Sequence, residues 1–384
     1  MRKHLQLIVA SSWRAVPVCA ALTVVTVCCF YLVENDSARG EPFACFDGTS
    51  AWPSIAIILF AALLSLHFVA RTHFDLRSDA KKLAEEFALN KEFAPKSKVP
   101  AKTSFFGWEA PPLKRGKTSA EDRIDIAILW QRYLCRGQFW MRTARALPMT
   151  LFYMAALFYI LPLIGQFPAP PIRGYFPFSA LMMPTLFSFL FLTFFVIDAI
   201  LLHEGFIKQL EEKESYWPRA TFRKFRYPYP TNHETNNESE LADFWDILLI
   251  AKRTEAVGGL IYHPFLILSL LIVARLNYFD NWVWTPALVV GLCLHFCLAL
   301  YAAWRLPNVA RGYRDTVLER LRRSRRQALM FSRNAPEAID TMIEQVQFTH
   351  QGVFAYLWEQ PAIRALLLPS SGIGLATLLQ YLPH

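Results

Sequence analysis

The sequence predicts an all-α polytopic integral membrane protein with three transmembrane hairpins and a helical cytoplasmic bundle. Three observations support this fold class. The chain of 384 residues is 54% hydrophobic, it contains six apolar stretches long enough to cross a bilayer, and its basic residues lie almost entirely on one side of those stretches. Such a composition excludes a disordered chain and is too apolar for an ordinary soluble domain.

The apolar stretches have the length that a membrane requires. A spanning helix needs about 20 apolar residues, because the hydrocarbon core is about 30 Å thick and each helical residue rises about 1.5 Å. The stretches are, in chain order, residues 14–33, 51–70, 146–165, 175–202, 259–276 and 282–304. Because the connections within each consecutive pair are short, we expect three hairpins that turn on the same side of the membrane.

The placement of basic residues predicts the orientation. The N-terminal tail and the segments 71–145, 203–258 and 305–384 contain 37 of the 40 Lys and Arg residues. The other side has only Arg39, Arg173 and Arg275. Lys and Arg collect on the cytoplasmic flanks of membrane spans. We therefore place both ends of the chain and the long segments in the cytoplasm, and the spans in the cell membrane.

The long segments are predicted to be helical and to continue the spans. They are rich in strong helix formers, and Ser119 begins a pattern that resembles a capping box. The predicted helices are 79–93, 119–145, 206–214, 239–257, 313–332 and 336–351. The chain thus divides into 1–70 (first hairpin), 71–145 (cytoplasmic, with a Pro-rich loop), 146–202 (second hairpin), 203–258 (cytoplasmic), 259–304 (third hairpin) and 305–384 (Arg-rich helices and an apolar end).

Three prolines suggest a repeated arrangement. Pro148, Pro264 and Pro361 each lie near the start of an apolar run, and proline is tolerated in the first turn of a helix. By this analogy, residues 363–382 form a seventh membrane segment. Prolines and glycines interrupt that run, which favours a re-entrant or interfacial segment over a regular span.

Ionisable residues within the apolar stretches are candidates for a functional site, because a charge at membrane depth is costly. The candidates are Asp198, His203, His67 and His263. Asp198 lies in an otherwise apolar run and could neutralise a basic partner on another span, gate a cation path or take up a proton. It could equally form a structural ion pair near the interface. His67 begins a polar stripe with Arg71 and Asp75 whose charges are expected to pair locally.

The strongest charge feature follows the sixth stretch. The candidate contacts for an anionic lipid or ligand are Arg320, Arg322, Arg323, Arg325 and Arg326. Anionic lipid attracts a basic helix next to a membrane by about 1 kcal/mol per basic residue. Arginines also suit a phosphate-bearing ligand through bidentate contacts. Few aromatic residues lie among these arginines, so we do not expect a nucleic acid partner.

Spacing excludes the catalytic motifs that the sequence suggests. A zincin helix would need a second histidine four positions after His203 or His233, where the chain has Ile207 and Asn237. No histidine pair has the helical spacing of a metal site. We therefore predict a protein that is not an enzyme and has no cofactor or metal. Its cytoplasmic head would sense or dock a protein partner, a second copy or an anionic ligand, and its spans would transmit the response.

The alternative hypothesis is a channel or transporter formed by the spans of a homo-oligomer, with Asp198 and the histidines along the path. Three observations count against it. The spans contain few polar residues, and the Phe-rich and Leu-rich fourth stretch suits contact with lipid. Outside the C-terminal segment, no pair of broken helices marks a binding site at the middle of the membrane.

Overall fold

The computed structural model describes residues 51–89, 123–164, 175–212, 214–218, 221, 237–274, 286–330, 336–355 and 359. Several predictions lie outside these residues: the first apolar stretch at 14–33, most of the Pro-rich loop, the capping box at Ser119, and Pro361 with the segment 363–382. The all-α prediction is confirmed for the described residues, which are helical apart from turns and one pair of short strands.

Eight α-helices and two strands make up the described chain. The helices are α1 Ala51–Glu86, α2 Ile126–Arg136, α3 Phe139–Ile164, α4 Tyr175–Glu212, α5 Asn237–Gly259, α6 Tyr262–Val273, α7 Pro286–Met330 and α8 Pro336–Gln347. The strands are β1 Arg123–Asp125 and β2 Glu214–Tyr216, and a 3₁₀ turn follows at Gly352–Phe354.

Four of the described helical segments are long and apolar enough to cross a membrane. They are Ala56–Glu86, Phe139–Ile160, Met183–Glu212 and Ser239–Val273. These segments overlap the second to fifth predicted stretches, and they fit a membrane protein. The last of them joins α5 to α6 through a turn at Leu260 and Ile261. Helix α7 covers the described part of the sixth stretch but is not among the four.

The long helices continue well beyond their apolar stretches, as predicted. Helix α1 has 36 residues, α4 has 38 and α7 has 45. At about 1.5 Å per residue each exceeds 50 Å, whereas the hydrocarbon core is only about 30 Å thick. The same rigid rod therefore contributes to the apolar layer and to the polar region beyond it.

Helix α4 lies at the centre of the fold and packs against α1, α3 and α7. The most apolar part of α4 is 72% buried within the protein, against 17% for α3. The expectation that the fourth stretch faces lipid is therefore wrong. Its Phe and Leu side chains, such as Leu192 and Phe195, pack against protein. Helix α3 instead exposes large apolar side chains, including Phe152 and Tyr159.

The predicted helix over 119–145 is interrupted. Residues 123–125 form β1, which pairs in parallel with β2 so that Ile124 lies opposite Ser215. Asp125 then caps α2, because its Oδ1 accepts hydrogen bonds from the amides of Ala127 at 2.8 Å and Ile128 at 3.4 Å. Helix α2 ends at an elbow formed by Gly137 and Gln138, where α3 begins.

The proline analogy is confirmed at only one of its two described positions. Pro264 is the third residue of α6 and lies in its first turn. Pro148 lies in the interior of α3, because this helix already begins at Phe139. Pro148 therefore does not mark the start of a helix.

Candidate functional site

Asp198 on α4 is paired with two arginines of α3. The Nε of Arg145 lies 2.7 Å from Oδ1 of Asp198, and its Nη2 lies 3.0 Å from Oδ2. The Nε of Arg142 is 3.4 Å from Oδ2. Asp198 is 3% exposed, so the two arginines take the place of water around its carboxylate. This geometry is the structural ion pair considered in the sequence analysis, with the partners supplied by a neighbouring helix.

Arg142 is the unusual member of this cluster. It is 1% exposed, and its Nη2 donates a hydrogen bond to the carbonyl of Phe195 at 2.5 Å. Its guanidinium carbon lies 3.8 Å from the centre of the Phe195 ring, in cation–π geometry. Its Nη1 has no hydrogen-bond partner among the described residues. Two guanidinium groups share one carboxylate, so the cluster has one excess positive charge.

A second buried guanidinium connects three helices. Arg253 of α5 is 3% exposed, and its Nη1 donates to Asp79 Oδ2 at 2.6 Å and to the Leu76 carbonyl at 2.9 Å. Its Nε donates to the Tyr133 hydroxyl at 3.0 Å. Because a buried charge needs such partners, Arg253 fixes α5 to both α1 and α2.

A cavity of 990 Å³ lies between α1, the elbow of α2 and α3, and α4. Helix α1 contributes one face, with side chains at successive turns from Ala70 to Ala84. Aromatic and basic groups from four helices line the cavity: His73, Phe74, Arg77, Lys81, Tyr133, Phe139, Trp140, Arg142 and Arg253. The cavity thus lies beside both buried arginines.

The lining of this cavity, which we call the basic cavity, is positively charged. It includes Arg77, Lys81, Arg142 and Arg253, and no Asp or Glu is among its described lining residues. Arg77 is exposed and has no ion pair within the described chain. Lys81 approaches Glu85 at 3.9 Å, but both groups are exposed, and such pairs are weak. The arrangement is suited to an anion.

The three candidate histidines do not form one site with Asp198. His203 is fully buried between Tyr133 and Phe206, and neither ring nitrogen has a hydrogen-bond partner among the described residues. His263 stacks on Phe68 with ring centres 4.2 Å apart, and its Nδ1 is 3.1 Å from Thr72 Oγ1.

His67 lies beside the same phenylalanine, with a ring-centre separation of 6.0 Å from Phe68. The polar stripe that it begins pairs locally, since Arg71 and Asp75 are 3.3 Å apart and exposed. The histidine that lines the basic cavity is His73, which the sequence analysis did not select.

The arginines after the sixth stretch contact several different helices. Arg320 approaches Asp243 of α5 at 3.2 Å, and Arg325 approaches Asp340 of α8 at 2.5 Å. Arg323 pairs with Glu319 on its own helix. Arg322 and Arg326 are exposed and have no ion pair in the described part of the chain. These last two remain available to an anionic lipid or ligand.

A buried carboxylate that was not predicted from the sequence joins α5, β2 and α7. Asp246 is 0% exposed and accepts hydrogen bonds from Ser215 Oγ at 2.6 Å, Trp217 Nε1 at 3.0 Å and the Tyr313 hydroxyl at 2.9 Å. Burial and the adjacent carboxylate raise the pKa of Tyr313 well above its usual value, so it stays a donor. The acid is flanked by Phe244, Trp245 and apolar residues, the same signal that identified Asp198.

The site therefore consists of a positively charged cavity whose wall includes one incompletely paired buried arginine. The residues present offer guanidinium, ammonium and aromatic groups, which bind and orient an anion. No family model matches the chain, and comparisons with characterised proteins and with solved structures found no match to it.

Proposed function

We propose that the protein is a non-enzymatic component of the cell membrane that senses an anionic ligand through the basic cavity and transmits its occupancy along the helices. The observation that carries this proposal is the position of the cavity. It lies where α1, α3 and α4 leave their apolar stretches, beside Arg142, which joins α3 to α4, and Arg253, which joins α1 to α5.

The proposed topology has six spans in three hairpins, with both chain ends and the long segments in the cytoplasm. The support is the distribution of basic residues, of which 37 of 40 lie in those segments. In this orientation the basic cavity is at the cytoplasmic boundary of the membrane. A cytoplasmic protein partner or a second copy would then meet the head formed by α5, α8 and the far end of α7.

A sensor requires that the ligand bind one arrangement of the helices more tightly than another. Arg142 could make the arrangement of α3 and α4 depend on the ligand. An anion in the basic cavity that binds the free Nη1 of Arg142 attracts the same guanidinium that contacts Asp198 and the Phe195 carbonyl. Because those two acceptors belong to α4 and Arg142 belongs to α3, occupancy changes the contact between two long helices. Arg253 connects the same cavity to α5.

Hydrogen exchange tests this coupling. The full chain in nanodiscs of zwitterionic phospholipid is compared with and without inorganic phosphate, and then in nanodiscs that contain anionic phospholipid. We expect slower exchange in the cavity lining and also in α4 and α5 outside the lining. Arg77→Gln/Lys81→Gln should lose both effects. Arg71→Gln/Lys82→Gln makes the same change of charge on α1 outside the cavity and should keep them.

Two results would contradict the proposal. The first is unchanged exchange with either anion, and the second is slower exchange that is confined to the lining. Reproducible currents from the purified protein in planar bilayers would favour the alternative, a channel or transporter. The structure gives the alternative less support at Asp198, because Arg142 and Arg145 already account for that charge.

A further inference from the structure

The basic cavity, whose role as an anion site rests on the proposed function, has the position and lining of a lipid site. We infer that its occupant is the phosphate-bearing headgroup of an anionic phospholipid from the adjacent leaflet, with the acyl chains lying on the exposed apolar face of α3. The shared chemistry is a phosphate anion. What distinguishes a lipid from a free phosphate is where the cavity lies and what borders it.

The depth of the cavity matches a headgroup. Its lining begins at Ala70, where the second apolar stretch ends, and includes Ala199 and Leu202 at the end of the fourth. On α3 the lining ends at Arg142, shortly before the third stretch begins. All three helices therefore place the cavity just beyond the hydrocarbon layer, at the level of the headgroups.

The lining changes character along α1 in the way an amphiphile requires. Ala70 and Phe74 lie near the apolar stretch, and Arg77 and Lys81 follow on the same face of the helix. From Ala70 to Lys81 the helix rises about 16 Å at 1.5 Å per residue. A ligand that spans this distance meets apolar groups at one end and cations at the other.

The border of the cavity on α3 is suited to acyl chains. Trp140 lines the cavity and is 59% exposed, and tryptophan is enriched where lipid meets water. Farther along the same face of α3, Leu151 and Phe158 are exposed. An exposed apolar surface of this kind continues from the cavity toward the hydrocarbon layer, so a lipid can bind without leaving the membrane.

The buried guanidinium of Arg142 supplies a donor for the headgroup. Its Nη1 has no hydrogen-bond partner among the described residues although the side chain is 1% exposed. A buried polar group normally has a partner, because leaving it unpaired is costly. A phosphate oxygen in the adjoining cavity would satisfy Nη1, and arginine binds phosphate with short, charge-assisted hydrogen bonds.

Cys135 provides a reporter inside the cavity, since it is exposed and lines it. The full chain, with its other six cysteines replaced by alanine, is placed in phosphatidylcholine nanodiscs with increasing phosphatidylglycerol. The rate at which an uncharged maleimide modifies Cys135 is then measured. An uncharged reagent is not concentrated or repelled by the charged surface. Because the reacting species is the thiolate, the rate is compared between variants in the same nanodiscs, where the effect of lipid charge on the thiol is shared.

We expect phosphatidylglycerol to slow the modification of Cys135 and Arg77→Gln/Lys81→Gln to weaken this protection. At about 1 kcal/mol for each basic residue, the phosphatidylglycerol needed for half protection should rise about 5-fold per substitution, or roughly 25-fold for the pair. Arg71→Gln/Lys82→Gln should leave the midpoint unchanged. An equal shift in both variants would reduce the effect to general surface charge and overturn the site.

Measurements with soluble anions separate this inference from the proposed function. Inorganic phosphate and glycerol phosphate are added to pure phosphatidylcholine nanodiscs. Protection of Cys135 by these anions but not by phosphatidylglycerol would overturn the lipid inference and leave anion sensing in place. Absence of protection in every arm, with the protein folded by circular dichroism, would overturn both.

Discussion

Buried charges in the described part of this protein are stabilised mainly by groups from other helices or strands. Arg253 bonds to residues of α1 and α2, and Asp246 to residues of β2 and α7. Removing one partner of a buried ion pair is costly because the other charge remains buried without compensation. Sequence alone could identify Asp198, because an acid in an apolar run is conspicuous. It could not identify Arg142 or Arg253, because their partners lie far away along the chain.

Asp198→Asn tests the buried ion pair. The substitution leaves Arg142 and Arg145 without a counter-charge, so we expect the free energy of unfolding to fall by about 3–5 kcal/mol. The measurement is denaturant unfolding of the purified protein in detergent. Asp75→Asn is the matched control, because Asp75 also pairs with an arginine but both groups are exposed. Its loss should be below about 1 kcal/mol, and equal losses would contradict the role of burial.

The helices illustrate what hydropathy can and cannot predict. It identified α1, α3, α4 and α6 because each contains an apolar run, but it assigned α4 to the lipid face. Lipid tails are as apolar as leucine side chains, so composition alone does not separate a helix buried in protein from one that faces lipid. The two strands were also missed, since three-residue strands are too short for an alternating pattern to be visible.

Leucine substitutions distinguish the two environments. Leu192 of α4 is 0% exposed and Leu163 of α3 is 75% exposed. Leu192→Ala leaves a cavity in packed protein, so we expect a loss of about 2–5 kcal/mol in the free energy of unfolding. Leu163→Ala should cost less than about 1 kcal/mol, as exposed substitutions usually do. Denaturant unfolding of both variants in the same detergent measures the difference. Similar losses in the free energy of unfolding would contradict the burial of α4 within the protein.

The 3₁₀ turn near the end of the described chain depends on a glycine. Gly352 has a φ of +59°, and a Cβ there would lie 2.2 Å from the Ala251 carbonyl oxygen and 2.5 Å from Thr254 Oγ1 of α5. Gly352→Ala should therefore cost at least about 1–3 kcal/mol and release this turn from α5.

Hydrogen exchange of residues 348–355 measures that release. Gly312→Ala on α7 is the control, because nothing lies within 4 Å of its Cβ position. An alanine in a helix interior should stabilise the protein by about 0.5–1 kcal/mol relative to glycine. The two substitutions therefore have opposite expected signs, and destabilisation of equal size would refute the contact.

At the scale of the whole molecule, orientation is the prediction on which the proposed function depends. A reporter fused in the segment around Asn90 should be active only in the cytoplasm, because this segment belongs to the side with 37 of the 40 basic residues. The matched fusion is in the connection 166–174, which should report the opposite side. A cytoplasmic signal from both positions would contradict the second hairpin.

The sequence can predict this topology because it depends on local charge, whereas the arrangement of α5 and α8 around α7 depends on contacts between distant residues.

The pairing of β1 with β2 also sets the order of events during synthesis. Arg123 cannot reach its partner until Glu214 has been translated, by which time α3 and α4 have both been made. The apolar side of α2, including Trp130, lacks its contact with Phe206 until that residue of α4 has been synthesised. Chains stalled before residue 206 should be recognised by chaperones and proteases, whereas chains stalled after residue 216 should be better protected.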